Sequence, residues 1–260
     1  MRSIAVMNQK GGVGKTTTAV NLSAALAQMG KRVCLLDLDP QAHASLHLGI
    51  DPQPGQPSVY DVLCGKSSLD DVRREVAPGL FVIPSCLDLA AAEVELAGQP
   101  GREMILRQKL RADTETFDYL LIDCPPSLGI LTINALAAVS EVFIPLQPHF
   151  LALHGLSKLL ETVDLVSTRL NEHLHLTGVV LCMYDAGTRL AVEVSADVEA
   201  FFDAAENRPV SWSTARVFKT RVRRNIRLAE APSFGQSILQ YAAGSNGAED
   251  YQELAKEVAG

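Results

Sequence analysis

The chemistry of this chain is concentrated in residues 8 to 17, Asn-Gln-Lys-Gly-Gly-Val-Gly-Lys-Thr-Thr. Gly11, Gly12 and Gly14 allow the backbone to curl until successive N–H groups face one anion. Lys15 can reach the β- and γ-phosphates of a nucleotide, and the Thr16 hydroxyl can ligate Mg²⁺. A plain glycine turn would also connect a strand to a helix. It would not need Gly-Lys-Thr at the helix start.

The loop departs from the pattern G-x-x-x-x-G-K-[ST]. Gln9 stands where the first glycine belongs, and Lys10 is an additional lysine. Two ammonium groups beside one phosphate chain repel unless further negative charge is present. Lys10 precedes the turn, so its stem is expected to point away from its own loop. A phosphate held by a second subunit would give it a role.

Two further carboxylates belong with this loop. Asp37-Leu38-Asp39-Pro40-Gln41 follows the apolar run Val33-Cys34-Leu35-Leu36. Carboxylates at the carboxyl end of a parallel strand border the ligand crevice of an open α/β sheet. Asp39 is the candidate for positioning an attacking water. The alternative is a turn aspartate before Pro40. Phe117 to Asp123 is an apolar run ending in Asp, the Walker-B pattern. Its carboxylate would orient Mg²⁺, directly or through water, together with Thr16. Cys124-Pro125-Pro126-Ser127-Leu128-Gly129 would then form a stiff loop near the γ-phosphate.

A second kind of chemistry lies near the carboxyl terminus. Residues 208 to 227 contain Arg208, Arg216, Lys219, Arg221, Arg223, Arg224 and Arg227 and no acidic residue. The window carries +7, so the rest of the chain carries −14 within a net charge of −7. A basic run is most often a solvated face. A one-signed window in an acidic protein points instead to anion binding. Only Trp212 and Phe218 interleave, so contacts to a nucleic-acid backbone fit better than base stacking. Were this segment helical, Arg221, Arg224 and Arg227 would lie near one another; Arg189 could assist.

These groups need a scaffold. Ile4-Ala5-Val6-Met7 reads as a buried strand before the loop. Ala19 to Met29 reads as the helix after it, ending at Gly30. Strands are also expected at 33–36, 80–83, 117–123, 142–146 and 176–184. Helices are expected at about 86–97, 102–112, 155–170 and 190–202, with two short ones between Val59 and Val76. Pro52, Pro54, Gly55 and Pro57 mark a surface loop. This alternation predicts an α/β fold with a doubly wound, mostly parallel sheet flanked by helices. In the last segment, Tyr251, Leu254 and Val258 form a narrow apolar stripe among acidic residues, expected to pack on the domain.

The whole chain sets limits. Its 260 residues, 47% hydrophobic and 20% charged, suit a soluble α/β protein. The first apolar strand enters the glycine loop at once, so no signal peptide is expected. The uncharged run Cys124 to Ser140 is too broken to span a bilayer. Five scattered cysteines without a C-x-x-C pair suggest reduced thiols in a cytoplasm.

Residues 8 to 19, Asn-Gln-Lys-Gly-Gly-Val-Gly-Lys-Thr-Thr-Thr-Ala, resemble the deviant Walker loop of the ParA/MinD ATPases, and within them the ParA (Soj-like) partition branch. Asp37 to Gln41 resembles that family's first switch and Cys124 to Gly129 its second. Met183-Tyr184-Asp185 and Arg227 to Gly235 also resemble the ParA branch, so the resemblance covers nearly the whole chain. It implies a single P-loop NTPase domain over residues 1–260, with ATP and Mg²⁺ as cofactors. Lys10, Gly11, Gly12, Val13, Gly14, Lys15, Thr16 and Thr17 would bind the phosphates, and Arg224 and Asn225 would lie at the base. Lys10, Lys15, Asp39 and Asp123 would be catalytic, with Lys10 crossing to the partner's ATP in a nucleotide-dependent homodimer. The dimer would bind DNA without sequence preference through Arg189, Arg216, Lys219, Arg221, Arg223, Arg224 and Arg227. A ParB-like or other cargo adaptor would stimulate hydrolysis. The protein would be cytoplasmic, and nucleoid-associated when ATP is bound.

Two departures from the family bear on this. The family has Pro where Arg223 stands, in a segment that contacts the adenine. Its arginine after Met-Tyr-Asp-Gly is replaced by Gly187, with Arg189 two residues on. Two other readings compete. A MinD-like membrane ATPase needs a basic amphipathic tail, whereas this tail is acidic. A nitrogenase-iron-protein-like role would need Cys86 and Cys124 to share a cluster, without the expected flanking residues. Because the chain starts almost at its first strand, an N-terminal helix-turn-helix domain is not expected.

Overall fold

The computed structural model describes residues 1–53, 55–149, 152–206 and 208–260, without the His154 side chain. Pro54, in the predicted proline-rich loop, lies outside the described residues. Among the described residues, eight strands form one sheet: β1 Arg2–Val6, β2 Val33–Asp37, β3 Arg74–Ala77, β4 Leu80–Ile83, β5 Tyr119–Asp123, β6 Glu141–Leu146, β7 His175–Tyr184 and β8 Arg216–Arg223. Their order is β3-β4-β2-β5-β1-β6-β7-β8. Only the β3–β4 pair is antiparallel. The doubly wound, mostly parallel sheet expected from the alternation is therefore present.

The helices are α1 Lys15–Gln28, α2 His43–His47, α3 Val59–Leu63, α4 Leu69–Val72, α5 Leu89–Glu95, α6 Ile105–Ala112, α7 Ile130–Ala138, α8 Ala152–Arg169, α9 Arg189–Asp203, α10 Ile226–Glu230, α11 Ile238–Tyr241 and α12 Asn246–Ala259. They cover both faces. One core packs α3 to α9 against residues such as Leu36, Ile122 and Ile144. The other packs α1, α11 and α12 against Ile4, Val6, Leu35 and Phe143. The central strands β1, β2, β5 and β6 are buried on both faces and are accordingly almost wholly apolar. Among the described residues, no helix is long and apolar enough to cross a membrane.

Four elements differ from the sequence reading. The basic window, for which a helix would have brought Arg221, Arg224 and Arg227 together, forms strand β8 over Arg216–Arg223. Phe218 of β8 lies under Phe143, ring centroids 4.9 Å apart, and Gly178 leaves room for its ring. A Cβ on Gly178 would come within 2.6 Å of that ring. Tertiary packing of Phe218 and Val222 thus decides the segment. The second difference is β3, a short antiparallel edge strand inside the stretch read as two helices. The third is α7, within the run read only as broken. Its Asn134 is buried yet satisfied: Nδ2 donates to the Arg102 and Ile130 carbonyls, and Oδ1 accepts from the Leu106 N–H. The fourth is α2, a single short turn of helix after the Asp39 loop.

α12 carries out the packing expected of the last segment. Tyr251, Leu254 and Val258 are all buried against α1 and β8. Each such side chain contributes roughly 1.5–3 kcal/mol on burial.

Candidate nucleotide-binding site

The glycine loop joins β1 to α1 at the carboxyl edge of the sheet. Gly12 (φ 71°) and Gly14 (φ 95°) occupy the left-handed region, which a side chain would strain. Gly14 also caps α1 with no side chain of its own, so the first N–H groups of the helix stay open to a ligand. A Cβ there would press on Cys182 at 3.4 Å. Beside the loop opens a cleft of about 770 Å³. Gly11, Gly12, Gly14, Lys15, Thr16 and Thr17 line it, with Asp39. Cys182, Met183 and residues 222–226 line it too, so the cleft unites the predicted phosphate loop with the predicted base segment, Arg224 and Asn225. Its size is that of a small-ligand site. Val13 lines a neighbouring hollow instead.

Lys15 is buried at the helix start, and its Nζ donates to the Lys10 carbonyl at 3.0 Å. Burial lowers its pKa, and the nearby Asp123 and Asp39 carboxylates partly offset this. The Lys10 side chain goes elsewhere. Its Cε lies over Gly155 of α8, where an added Cβ would sit 3.3 Å away. It lines a small hollow with Asn8, Leu146, Gln147 and His149, not the cleft. The two lysines of the loop therefore face different spaces, in the direction the sequence suggested for Lys10.

Asp37 and Asp123 end adjacent parallel strands and are register partners. Asp37 Oδ2 accepts from the Ser45 N–H (2.8 Å) and hydroxyl (2.7 Å), and Oδ1 from the Asp39 N–H (3.2 Å). It thereby ties the strand end to α2 and fixes the Asp39 loop. Burial pushes its pKa up to about 6 despite these bonds, with Asp39 adding repulsion. Asp37 was passed over in favour of Asp39, although the Asp-x-Asp spacing was there to be read. Asp39 itself is nearly buried and lines the cleft. Its Oδ1 also accepts from the Gln41 N–H at 3.0 Å, so the turn reading and the cleft reading both describe it.

Asp123 is the informative group. It is fully buried, and neither carboxylate oxygen has a hydrogen-bond partner among the described residues. Burial and then Asp37 drive its pKa well up, while the Thr16 hydroxyl and Lys15 pull it down. An orphaned buried carboxylate is costly. A divalent cation beside Thr16 would satisfy it, and Mg²⁺ typically takes one or two protein oxygens, completing its shell with phosphate and water. The residues present thus fit Mg²⁺: Thr16 and Asp123 would hold it, Asp123 directly or through water.

The predicted DNA-contact residues divide into two groups. Arg221 pairs with Glu199 (2.7 Å), Arg227 with Glu230 (2.7 Å) and Arg189 with Glu193 (3.6 Å). Arg223 pairs with Glu249 and Asp250, both at 2.6 Å. Arg216, Lys219 and Arg224 are exposed, with no carboxylate within salt-bridge distance among the described residues. Of the cysteines weighed for a cluster, Cys124 is fully buried and Cys86 sits against the Ser58 hydroxyl at 3.1 Å.

The fold and the loop define a P-loop nucleotide-binding protein with a deviant Walker loop. A family profile described as an AAA domain matches residues 1–176. The chain is 48% identical over 257 residues to the sporulation initiation inhibitor protein Soj of Bacillus subtilis (strain 168), covering 98% of this chain and 97% of that one. It is 45% identical over 258 residues to the chromosome-partitioning ATPase Soj of Treponema pallidum (strain Nichols), covering 99% and 96%. Among solved structures it resembles a cobyrinic acid a,c-diamide synthase from Mycobacterium smegmatis with bound ADP and magnesium. That match has a TM-score of 0.83 at 35% identity over 100% of this chain and 94% of that one. The chain belongs to the ParA/MinD family of deviant Walker ATPases, on its ParA (Soj-like) branch.

Proposed function

We propose that this protein is a partition-type ATPase, one P-loop domain over residues 1–260 that hydrolyses MgATP slowly to position chromosome, plasmid or other cargo. The observation that carries this reading is the division of labour between the loop lysines. Lys15 closes on its own loop at the foot of the cleft, whereas Lys10 leaves the cleft and crosses Gly155. A second lysine that does not serve its own phosphates suits a face-to-face homodimer in which Lys10 serves the partner's ATP. Asp39 positions the attacking water, Thr16 and Asp123 hold Mg²⁺, and Arg224 and Asn225 border the base.

The dimer binds DNA non-specifically in the cytoplasm and so associates with the nucleoid. Release follows hydrolysis stimulated by a ParB-like or other cargo adaptor. The relative named a chromosome-partitioning ATPase supports this, at higher identity than the neighbour named for a diamide synthase. A membrane role is disfavoured because the apolar stripe of α12 is already packed against α1 and β8. The test is light scattering with and without a non-hydrolysable ATP analogue, followed by gel shifts on unrelated duplexes. Nucleotide-dependent doubling of mass and sequence-independent retention are expected. A mass indifferent to nucleotide would remove the reading.

A further inference from the structure

Strand β8 is the sheet edge and pairs only with β7, through a ladder with two register shifts toward its carboxyl end. Its free side would leave unpaired N–H groups. Helix α12 supplies them with acceptors. Glu257 accepts from the Lys219 N–H (2.8 Å), the Thr220 N–H (3.0 Å) and the Thr220 hydroxyl (2.9 Å). Asp250 accepts from the Arg223 N–H at 2.8 Å. Residues 250 and 257 are seven apart and so share one helix face. The acidic character of this segment is thus in part a row of acceptors for an edge strand.

The grip is strongest at Arg223. Asp250, itself buried, also takes Nε at 2.8 Å and Nη2 at 2.6 Å, and Glu249 takes Nη2 at 2.6 Å. The next residue of the helix, Tyr251, places its hydroxyl 3.2 Å from the Thr18 hydroxyl of α1. Two consecutive residues of α12 therefore clamp β8 on one side and the helix of the phosphate loop on the other. Arg223 and its neighbours Arg224, Asn225 and Ile226 form one wall of the cleft that the phosphate loop also lines. With the triphosphate on Gly11 to Thr17, the proposed function puts the base against that wall.

We propose that Asp250 is a positioning residue for the nucleotide base, acting through Arg223 to hold the base-side wall of the cleft at a set distance from the phosphate loop. The proposal rests on the cleft being the ATP site. Its test compares ATP with inorganic tripolyphosphate, which has the phosphates and no base, by calorimetry on the full-length protein. Asp250→Asn should lower ATP affinity about tenfold, about 1.4 kcal/mol, with tripolyphosphate affinity held within about twofold. The preference for ATP over GTP should narrow, and KM for ATP should rise while kcat changes little. Arg223→Lys, which cannot form the fork, should move the same way. Asp250→Glu, which keeps the carboxylate, should recover part of the ATP affinity.

Equal loss of both ligands in Asp250→Asn and Arg223→Lys would show a merely structural clamp and overturn the proposal. Unchanged ATP affinity in both would overturn it too. Failure of the cleft assignment is distinguishable, because Lys15→Ala, which removes the ammonium that lines the cleft at the phosphate loop, would then leave the affinity for both ligands unchanged.

Discussion

The Lys15 ammonium donates to the backbone carbonyl of Lys10 at 3.0 Å, so one lysine of the glycine loop is held by the main chain of the other. This bond closes the loop on itself. It also keeps a buried ammonium satisfied at the foot of the cleft. Lys15→Ala deletes the charge aimed at the phosphates. Because a hydrogen bond to a charged group contributes about 1.5–3 kcal/mol, ATP affinity should fall roughly 10- to 100-fold. Calorimetry on the folded variant checks this; unaltered affinity would contradict the role of Lys15.

Asp37 and Asp39 should fail differently. Asp39→Ala should still bind ATP and hydrolyse it about 10²-fold more slowly, the usual scale for losing a group that handles the attacking water. Asp37→Ala removes the acceptor of three hydrogen bonds from Ser45 and Asp39. It should lower the melting temperature and loosen the switch loop, reducing activity as a consequence. Single-turnover hydrolysis alongside thermal unfolding separates the two, and wild-type turnover in Asp39→Ala would leave that residue as a turn former alone.

Lys10→Ala should keep nucleotide affinity, since its side chain lies outside the cleft against Gly155. Hydrolysis in the dimer should drop. Mixing Lys10→Ala with Asp39→Ala protomers gives heterodimers with one site that has both an intact Asp39 and a Lys10 supplied across the interface. Partial recovery of activity on mixing is the expected result, and additive residual rates would argue against a cross-subunit lysine.

DNA retention should depend most on Arg216, Lys219 and Arg224, which have no salt-bridge partner among the described residues. Changing all three to Glu should abolish ATP-dependent DNA binding and spare dimerisation. Arg221→Glu and Arg227→Glu should act more weakly, because Glu199 and Glu230 already occupy those guanidinium groups. Binding should weaken with salt at a slope of about −0.9 per phosphate neutralised. Gel shifts at two ionic strengths test this, and full retention by the triple variant would exclude these residues.

His47 makes stability pH-dependent. It is the last residue of α2 and is buried, its Nε2 has no hydrogen-bond partner among the described residues, and burial lowers its pKa to about 4. The Gln236 backbone offsets this only in part. The unfolded imidazole titrates near 6.5, so the unfolded chain takes up the proton first. Stability from a neutral His47 is complete above about pH 6.5 and is lost as pH falls toward 4. The loss between pH 7.5 and 5 should be on the order of 2 kcal/mol. Urea midpoints at those two pH values measure it, and His47→Phe should flatten the difference.

The sequence alone determined the phosphate loop, the β–loop–α frame around it, the two strand-end aspartates and the winding of the sheet. These are local matters. Glycines with forced backbone conformations, lysine and threonine at a helix start, and apolar runs of strand length are written in consecutive residues. The direction of the Lys10 side chain was also legible, because position within the turn and repulsion from Lys15 both bear on it. What the tertiary structure decided depends on partners distant in the chain. Residues 216–223 became a strand because Phe218 finds Phe143 and the space above Gly178. Arg223 left the basic face because Asp250 and Glu249 lie beside it in space, 27 and 26 residues away in sequence. Asp123 is an orphan because β2, β5 and the start of α1 bury it together, and no local pattern records how many hydrogen bonds a buried carboxylate will lack. Periodicity and motif spacing carry local propensity, whereas ion pairing and desolvation are set by which surfaces meet.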